Sequence, residues 1–189
     1  MKTLVLLAAG LAFTGSPATG QSRPYSSADS LFMSGMIGHH AQTITIANLV
    51  PARGASPPVR ILTDQIIVSQ RDEIAAMKTW LAQQGLPAPD SSDHHVIHGS
   101  GAMPGMLSPA QTKELEAAQG PEFDRLFVTL MIQHHQGALT MVQRLRQTPG
   151  AGQDPFVNRF ASDVHADQSA EIERMARLLI TLPLAGRNP

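Results

Sequence analysis

The feature that most constrains the fold is a pattern that occurs twice. The chain reads D-x-x-F-x-x-x-M-I-x-H-H over residues 29–40 and again over 124–135. A second pattern, Q-x-x-E-I-x-x-M, follows each copy at 70–77 and 168–175. The two pairs are offset by 95 and 98 residues, so only the connection inside each copy changed length. This duplication predicts a two-fold internal repeat in which each half supplies one helix of each kind.

Apolar residues at helical spacing, bounded by proline and glycine, predict four long helices and one short one. The predicted helices cover residues 29–50, 57–84, 109–118, 121–147 and 155–181. The links within each half are short and the link between the halves is long, which is typical of an antiparallel four-helix bundle. The predicted fold class is therefore all-α, built from two helix-hairpin repeats.

The first residues read as an export signal. A lysine precedes the apolar run 4–13, which is too short to span a bilayer, and small residues follow it. We predict a signal peptide over 1–20, a periplasmic or secreted location, and no membrane span in the mature chain. The chain has no cysteine, which excludes a lipid anchor on cysteine and any disulfide framework.

The predicted domain division follows from these boundaries. A flexible lead-in occupies 21–28 and the bundle occupies 29–182, with a tail over 183–189. Within the bundle, repeat one covers 29–84, a His- and Met-rich linker covers 85–107, and repeat two covers 108–182. The formal net charge of −1 gives no basic footprint for nucleic acid, and no nucleophile, phosphate-loop or dinucleotide motif is present.

Polar residues fall on the apolar faces of the predicted helices. At 100° per residue, His39 and His40 straddle the centre of the face on which Met36 lies, and His134 and His135 do the same on helix three. On helices two and four, Glu73 and Glu171 share a stripe with apolar residues, and His165 precedes the second stripe.

A buried unpaired carboxylate costs several kcal/mol, so each glutamate must be paired, protonated or bound to metal. Two interpretations remain open at this point. The glutamates accept hydrogen bonds from the histidines in a closed polar network, or the same donors hold a metal ion.

The donor types bear on which ion a site would take. Imidazole suits Zn, Cu, Fe and Ni, thioether selects Cu(I), and carboxylate favours harder ions. Met36 with His40, and Met131 with His135, are i,i+4 pairs that one helix can present to one ion. The alternative for each methionine is a core filler.

The linker is the second chemical feature. Residues 93–106 hold three histidines and two methionines, His94, His95, His98, Met103 and Met106. Sulfur and imidazole donors on an exposed loop of an exported protein indicate copper capture. A solvated linker with incidental histidines, or methionines that pin the loop to the end of the bundle, are the alternatives.

Both copies of F-x-x-x-M-I-x-H-H, both copies of Q-x-x-E-I-x-x-M and the His-Gly…Met-Pro-Gly-Met segment resemble domain of unknown function family 305. The resemblance covers nearly the whole mature chain. It implies a ferritin-like four-helix bundle and, for exported members, copper binding and copper tolerance. Neither copy has the Glu-x-x-His of a di-iron centre, which weakens any expectation of oxygen chemistry. The ligands that the resemblance implies are Met36, His39, His40, Met131, His134 and His135, with a further site at His98, Met103 and Met106.

The leading prediction is an exported copper-binding protein for metal tolerance or delivery, with Cu(I) or Cu(II) as the ion and another transition metal as the alternative. Its expected partners are the ion and other copper-handling proteins, with a homo-oligomer also expected. The alternatives are a dinuclear-metal ferritin-like enzyme and a structural module with a satisfied polar core. The full set of predicted metal ligands is Met36, His39, His40, Glu73, Met131, His134, His135, His165, Glu171, His98, Met103 and Met106.

Overall fold

The computed structural model describes residues 25–89 and 103–183. The all-α prediction is confirmed, and the described residues form five helices and one short 3-10 turn. The helices are α1 (Ser27–Ala47), α2 (Pro57–Gln83), α3 (Pro109–Ala117), α4 (Gly120–Gln147) and α5 (Pro155–Thr181), and the turn is Val50–Ala52. The predicted signal peptide and His94, His95 and His98 lie outside the described residues. Within those residues, no helix is both long and apolar enough to cross a membrane.

Capping side chains set the starts of three helices. Ser26 accepts from the backbone N–H of Asp29, whose carboxylate accepts from the backbone N–H of Ser26, which is a capping box. Ser108 caps α3 in the same way, and Asp154 accepts two backbone N–H groups at the start of α5. Each of these caps is a polar residue that stands directly before a helical pattern in the sequence.

The first helix ends earlier than predicted. It stops at Ala47 rather than near Val50, and Val50–Ala52 forms a separate 3-10 turn. Pro51 explains the difference, because it has no N–H to donate to the carbonyl of Ala47 and it disfavours the α conformation at Val50.

The helices pack so that α1 lies on α2, α4 lies on α5, and α1 joins the two halves by packing on α4. The apolar core is split into two clusters. One holds the early part of α1, from Phe32 to Ile37, with the late parts of α2 and α4. The other holds the late part of α1, near Ile46, with the early parts of α2 and α4, including Phe127. Neighbouring helices therefore run antiparallel. The buried polar residues near the middle of the four long helices belong to neither apolar cluster.

The aspartate of the repeated motif ties each half to the other. Asp29, at the start of α1, is fully buried and accepts from the backbone N–H of Gly152 in the α4–α5 loop at 2.6 Å. Asp124, near the start of α4, accepts from the backbone N–H of Ser56 just before α2, at 3.1 and 3.2 Å. Hydrogen bonds from a backbone N–H to a carboxylate are charge-assisted and stronger than neutral ones. The repeated Asp thus fixes the register between the halves.

Part of the linker is docked on the bundle rather than exposed. We call Met103–Leu107 the docked segment. Gln42 of α1 donates to the carbonyl of Leu107 at 3.0 Å and accepts its N–H at 2.8 Å. Gly105, at φ +75°, lies against the backbone of Gly137 in α4 so closely that neither residue has room for a Cβ. The prediction of an exposed loop is wrong for this part, because paired polar groups and two facing glycines hold it on the α1–α4 surface.

Candidate metal centre

A polar layer separates the two core clusters. It lies midway along the four long helices, and all of its side chains are buried except Glu73, which is partly exposed. Its members are His39, His40, Thr43, Gln70, Glu73, His134, His135, Gln168 and Glu171. Burying so many polar groups is unfavourable unless each finds a partner. The partners of the four imidazoles therefore decide what the layer can do.

The outer two imidazoles each pair with a glutamate. Nε2 of His40 contacts Oε2 of Glu73, and Nε2 of His135 contacts Oε2 of Glu171 at 2.8 Å. An ionised carboxylate can only accept, so a neutral ring paired in this way carries its proton on Nε2 and its lone pair on Nδ1. Both Nδ1 atoms are buried and have no hydrogen-bond partner. The two halves thus make the same contact and leave the same ring nitrogen unpaired.

The inner two imidazoles pack against each other with ring centroids 3.9 Å apart and a tilt of 40°. Nε2 of His39 donates to the carbonyl of Pro104 at 3.0 Å, and Nδ1 of His134 lies 3.1 Å from the hydroxyl oxygen of Thr43. The other ring nitrogens, Nδ1 of His39 and Nε2 of His134, are buried and unpaired. All four imidazoles therefore have one ring nitrogen held by the protein and one without a partner.

Burial keeps the inner imidazoles neutral. It lowers the pKa of His39 from 6.5 to about 3, with a smaller contribution from His40 in the same direction and an opposing one from the Pro104 carbonyl. Burial also lowers the pKa of His134 well below 6.5, and the neighbouring histidines lower it further. A neutral imidazole keeps a lone pair that can bind metal.

A third carboxylate lies on the side of the layer formed by α2 and α5. Partial burial raises the pKa of Asp167, and the charges of Glu73 and Glu171 raise it further. The carboxylates of Glu73, Asp167 and Glu171 are therefore close enough to repel one another electrostatically. Arg174 partly offsets this repulsion, since its guanidinium lies 3.6 Å from Oε1 of Glu171 and lowers the pKa of Asp167.

The imidazoles match the arrangement that metal-ligating histidines adopt. Such a histidine donates its other ring N–H to a carboxylate or a backbone carbonyl, which fixes the tautomer and the ring orientation. His40, His135 and His39 do so through Glu73, Glu171 and Pro104. Among the residues described, however, no three His, Asp or Glu side chains form a group that could hold an ion. A complete site therefore needs another kind of donor, and thioether sulfur is the one that the layer's flanks supply.

The comparisons with known proteins identify the family. The family model described as "Domain of unknown function (DUF305)" matches residues 29–179. This chain belongs to the DUF305 family. The resemblance predicted from the repeated motifs is thereby confirmed.

Two solved structures and one curated protein are similar to this chain. A DUF305 protein from Streptomyces coelicolor, provisionally classed as secreted, is 30% identical, with a TM-score of 0.69 over 82% of this chain and 93% of that one. CopM in its Cu(I)-bound form is 30% identical, with a TM-score of 0.60 over 79% of this chain and 94% of that one, and CopM has also been solved with Cu(II) bound. The uncharacterized protein L153 of Acanthamoeba polyphaga mimivirus is 34% identical over 58 residues, which is 31% of this chain and 38% of the length of that protein.

In this DUF305 chain the methionines predicted as ligands fall into two groups. Met36 and Met131 are fully buried, one in each core cluster, and each lies one helical turn before an outer imidazole. Met103 and Met106 belong to the docked segment and are half-buried. His98 lies outside the described residues.

His165 is not part of the polar layer. Its side chain is exposed and lines a surface hollow with Thr140 and Gln143 of α4. It lies outside the layer because Val164, one residue earlier, takes the inward position on α5, and a helix turns about 100° between neighbours. His165 can therefore serve as a surface control for the buried histidines.

Several residues at this DUF305 site were not among the predicted ligands. The Pro104 carbonyl and the Gly105–Gly137 contact are backbone features that residue types alone do not reveal. Thr43 left a signal in the sequence, because it breaks the repeat at the position where the second copy has Ala138. The Thr43 hydroxyl is the group that contacts Nδ1 of His134, and Ala138 of the second copy has no hydroxyl to make the equivalent contact.

Replacing Thr43 with Val should destabilise the metal-free protein. The substitution removes the hydroxyl and leaves Nδ1 of His134 buried without a partner, which costs about 1–3 kcal/mol. Thr43→Ser keeps the hydroxyl and should retain most of the wild-type free energy of unfolding. Urea denaturation of both variants in chelator measures the difference. Equal loss in the two variants would show that packing, rather than the hydroxyl, matters at this position.

Proposed function

We propose that this DUF305 chain is an exported protein that binds copper, as Cu(I) or Cu(II), for metal tolerance or delivery. The observation that carries the proposal is the set of four buried imidazoles, each with one ring nitrogen held by the protein and the other unpaired. CopM, a relative with copper bound, supports the choice of metal. The signal predicted over residues 1–20 and the S. coelicolor relative support export, and delivery implies other copper-handling proteins as partners.

A purely structural polar layer is the main competitor, and its hydrogen bonding argues against it. Seven buried polar atoms of the layer have no partner, four on the imidazoles and three on Gln70 and Gln168. Each unsatisfied buried group costs about 1–3 kcal/mol, whereas whole domains are stable by only about 5–15 kcal/mol. A closed network would have to satisfy these atoms. An ion that accepts the ring lone pairs removes much of this cost.

The roles we propose differ by side chain. The imidazoles supply nitrogen, at most two to any one ion, because no three of them form a group that could hold one. These nitrogen donors are His39, His40, His134 and His135. Met36 and Met131 supply sulfur from the adjoining turns. Glu73 and Glu171 orient the outer imidazoles rather than bind the ion, since Oε2 of each is in contact with Nε2 of its histidine. The linker donors His98, Met103 and Met106 belong to a separate outer site.

The proposal also places the chain in the ferritin-like class of four-helix bundles. The antiparallel packing of α1, α2, α4 and α5, with functional side chains at mid-height, supports this class. A dinuclear enzyme of that class needs glutamates that bridge two ions. No observation on Glu73 or Glu171 favours that reaction, and both copies lack Glu-x-x-His.

Copper titration of the mature chain, made without a histidine tag, tests the proposal. Wild-type protein should take up copper stoichiometrically, and the double variant His134→Ala/His135→Ala should lose the tightest site. His165→Ala is the matched control, since this exposed imidazole lies outside the layer and its loss should leave the tightest site unchanged. Circular dichroism of the metal-free proteins checks that each variant is folded.

The thermal readout separates copper binding from a structural layer. An ion that binds only the folded state at about 100 times its Kd stabilises it by about 2.7 kcal/mol. We therefore expect copper to raise the Tm of wild-type protein and chelator to reverse the rise. A Tm that responds to neither copper nor chelator, with equal titrations of wild type and double variant, would leave the structural module as the better explanation.

A further inference from the structure

The buried imidazoles raise the question of how an ion reaches them. His39, His40, His134 and His135 are at most 1% exposed, so an ion in solvent cannot contact them directly. A hollow of about 370 Å³ opens on the surface beside α1 and α4. Pro104 forms part of its wall, and the carbonyl of Pro104 accepts from Nε2 of His39. The hollow is thus one hydrogen bond away from the polar layer.

The side chains of two methionines, Met103 and Met141, line this hollow beside Gly35. A Cβ built on Gly35 of α1 would lie 3.6 Å from Sδ of Met103 and 3.5 Å from Cε of Met141. The two side chains come from the docked segment and from α4, and both are half-buried. Gly35 leaves space over α1 for both side chains. The repeat breaks here as well, since the second copy has Leu130 in place of Gly35 and the first has Ile46 in place of Met141.

The chemistry of the hollow suits a soft ion of low charge. Its lining contains two sulfur atoms and no carboxylate, and the other side chains are apolar apart from Thr148 and the exposed Arg144. Thioether selects Cu(I) over harder ions. The guanidinium of Arg144 repels a divalent cation about twice as strongly as a monovalent one at the same distance.

We propose that Met103 and Met141 form an entry site that captures Cu(I) at the surface and passes it to His39. This inference rests on the proposed copper-binding function and adds where the ion enters and in which oxidation state. Met103 directly precedes Pro104, so the captured ion lies one residue from the carbonyl that holds the His39 ring. Two neutral thioethers bind such an ion more weakly than the imidazoles do together, so the ion moves inward.

The test compares the double variant Met103→Leu/Met141→Leu with wild type, with Ag(I) nitrate in chloride-free buffer as a redox-inert probe. Leucine conserves the volume of methionine and removes the sulfur. Met77→Leu is the matched control, because Met77 is fully buried in the first core cluster and lies outside the hollow. The readouts are the ¹³C-methyl NMR signals of the methionines and the rate of Cu(I) uptake by stopped flow.

With substoichiometric Ag(I), we expect the Met103 and Met141 methyl signals to shift before the imidazole signals do. The double variant should take up Cu(I) more slowly and bind one ion fewer, yet still fill the layer, and Met77→Leu should behave like wild type. Methyl signals that stay in place while the imidazoles bind, together with unchanged uptake by the double variant, would refute the entry site alone. If the imidazoles bind no copper in any of these proteins, the proposed function itself fails.

Discussion

Replacing Gly137 with Ala is expected to release the docked segment from α4. A Cβ at this position would lie 2.0 Å from the carbonyl oxygen of Pro104, 2.5 Å from its carbonyl carbon and 2.7 Å from Cα of Gly105. All three atoms are backbone, so no side-chain rotation relieves the overlap. Overpacking of this kind costs about 1–3 kcal/mol. The cost must also exceed the gain of about 0.8–1.0 kcal/mol that alanine brings to a helix interior in place of glycine.

Gly35→Ala provides the matched control. Gly35 also lies within a long helix, but its added Cβ would meet only the ends of the Met103 and Met141 side chains, at 3.6 and 3.5 Å, which is ordinary contact. We expect this variant to gain up to about 1 kcal/mol from helix propensity. The same substitution should therefore change the free energy of unfolding in opposite directions at the two positions, as measured by urea denaturation. If Gly137→Ala is as stable as Gly35→Ala, the close approach of the docked segment is wrong.

Release of the docked segment should also weaken copper binding. Moving Pro104 removes the carbonyl that holds Nε2 of His39 and so frees the orientation of that ring. Loss of an outer hydrogen-bond partner of a metal-ligating histidine typically costs 10–100-fold in affinity. Copper competition titrations of Gly137→Ala and then of wild type measure this effect separately from stability. Unchanged affinity in the first variant would mean that the Pro104 contact does not position the ring.

The metal-free protein is expected to lose stability steeply as the pH falls below about 6.5. Burial lowers the pKa of His39 from 6.5 to about 3 and that of His134 well below 6.5, so below pH 6.5 the unfolded chain binds protons that the folded chain does not. Each such histidine removes about 1.4 kcal/mol of stability per pH unit. The contribution is complete above pH 6.5, and for His39 it is lost as the pH falls towards 3.

Urea denaturation in chelator at several pH values checks this dependence. His39→Gln supplies the control, because the amide nitrogen of glutamine reaches the position of Nε2 and can still donate to the Pro104 carbonyl, but it does not titrate. Its stability should fall less steeply with pH, by about 1.4 kcal/mol per unit over the same window. A wild-type slope near zero between pH 6.5 and 5 would contradict the neutral, buried state of the inner imidazoles.

The local rules of the sequence determined the helices. Ser26, Ser108 and Asp154 precede helical patterns and act as caps in the structure, and Gly85 ends α2 with a φ of +70°. These are interactions between residues a few positions apart, which is why residue types and spacing are enough. The one early stop, at Ala47, has the same kind of local cause in Pro51.

The sequence also determined which histidines point inward. The 100° turn per residue places the twin imidazoles on the apolar faces, and they are buried. Glu73 and Glu171 occupy equivalent positions in the two copies. From the sequence, either they pair with the imidazoles in a polar network or they share in a metal site, and both interpretations stayed open. Periodicity could not settle His165, because a position at the edge of a face is inward or outward according to how its helix is rotated against its neighbours.

Only the tertiary structure decided which nitrogen of each imidazole is held and what holds it. The Pro104 carbonyl lies 65 residues from His39 in the chain, and the Thr43 hydroxyl lies 91 residues from His134. The docking of Met103–Leu107 likewise depends on two glycines from distant segments lying backbone to backbone. Such contacts arise from how the helices pack in three dimensions, and no local pattern of residue types encodes them. The sequence therefore supplied the donors of this site, and packing alone supplied their orientation.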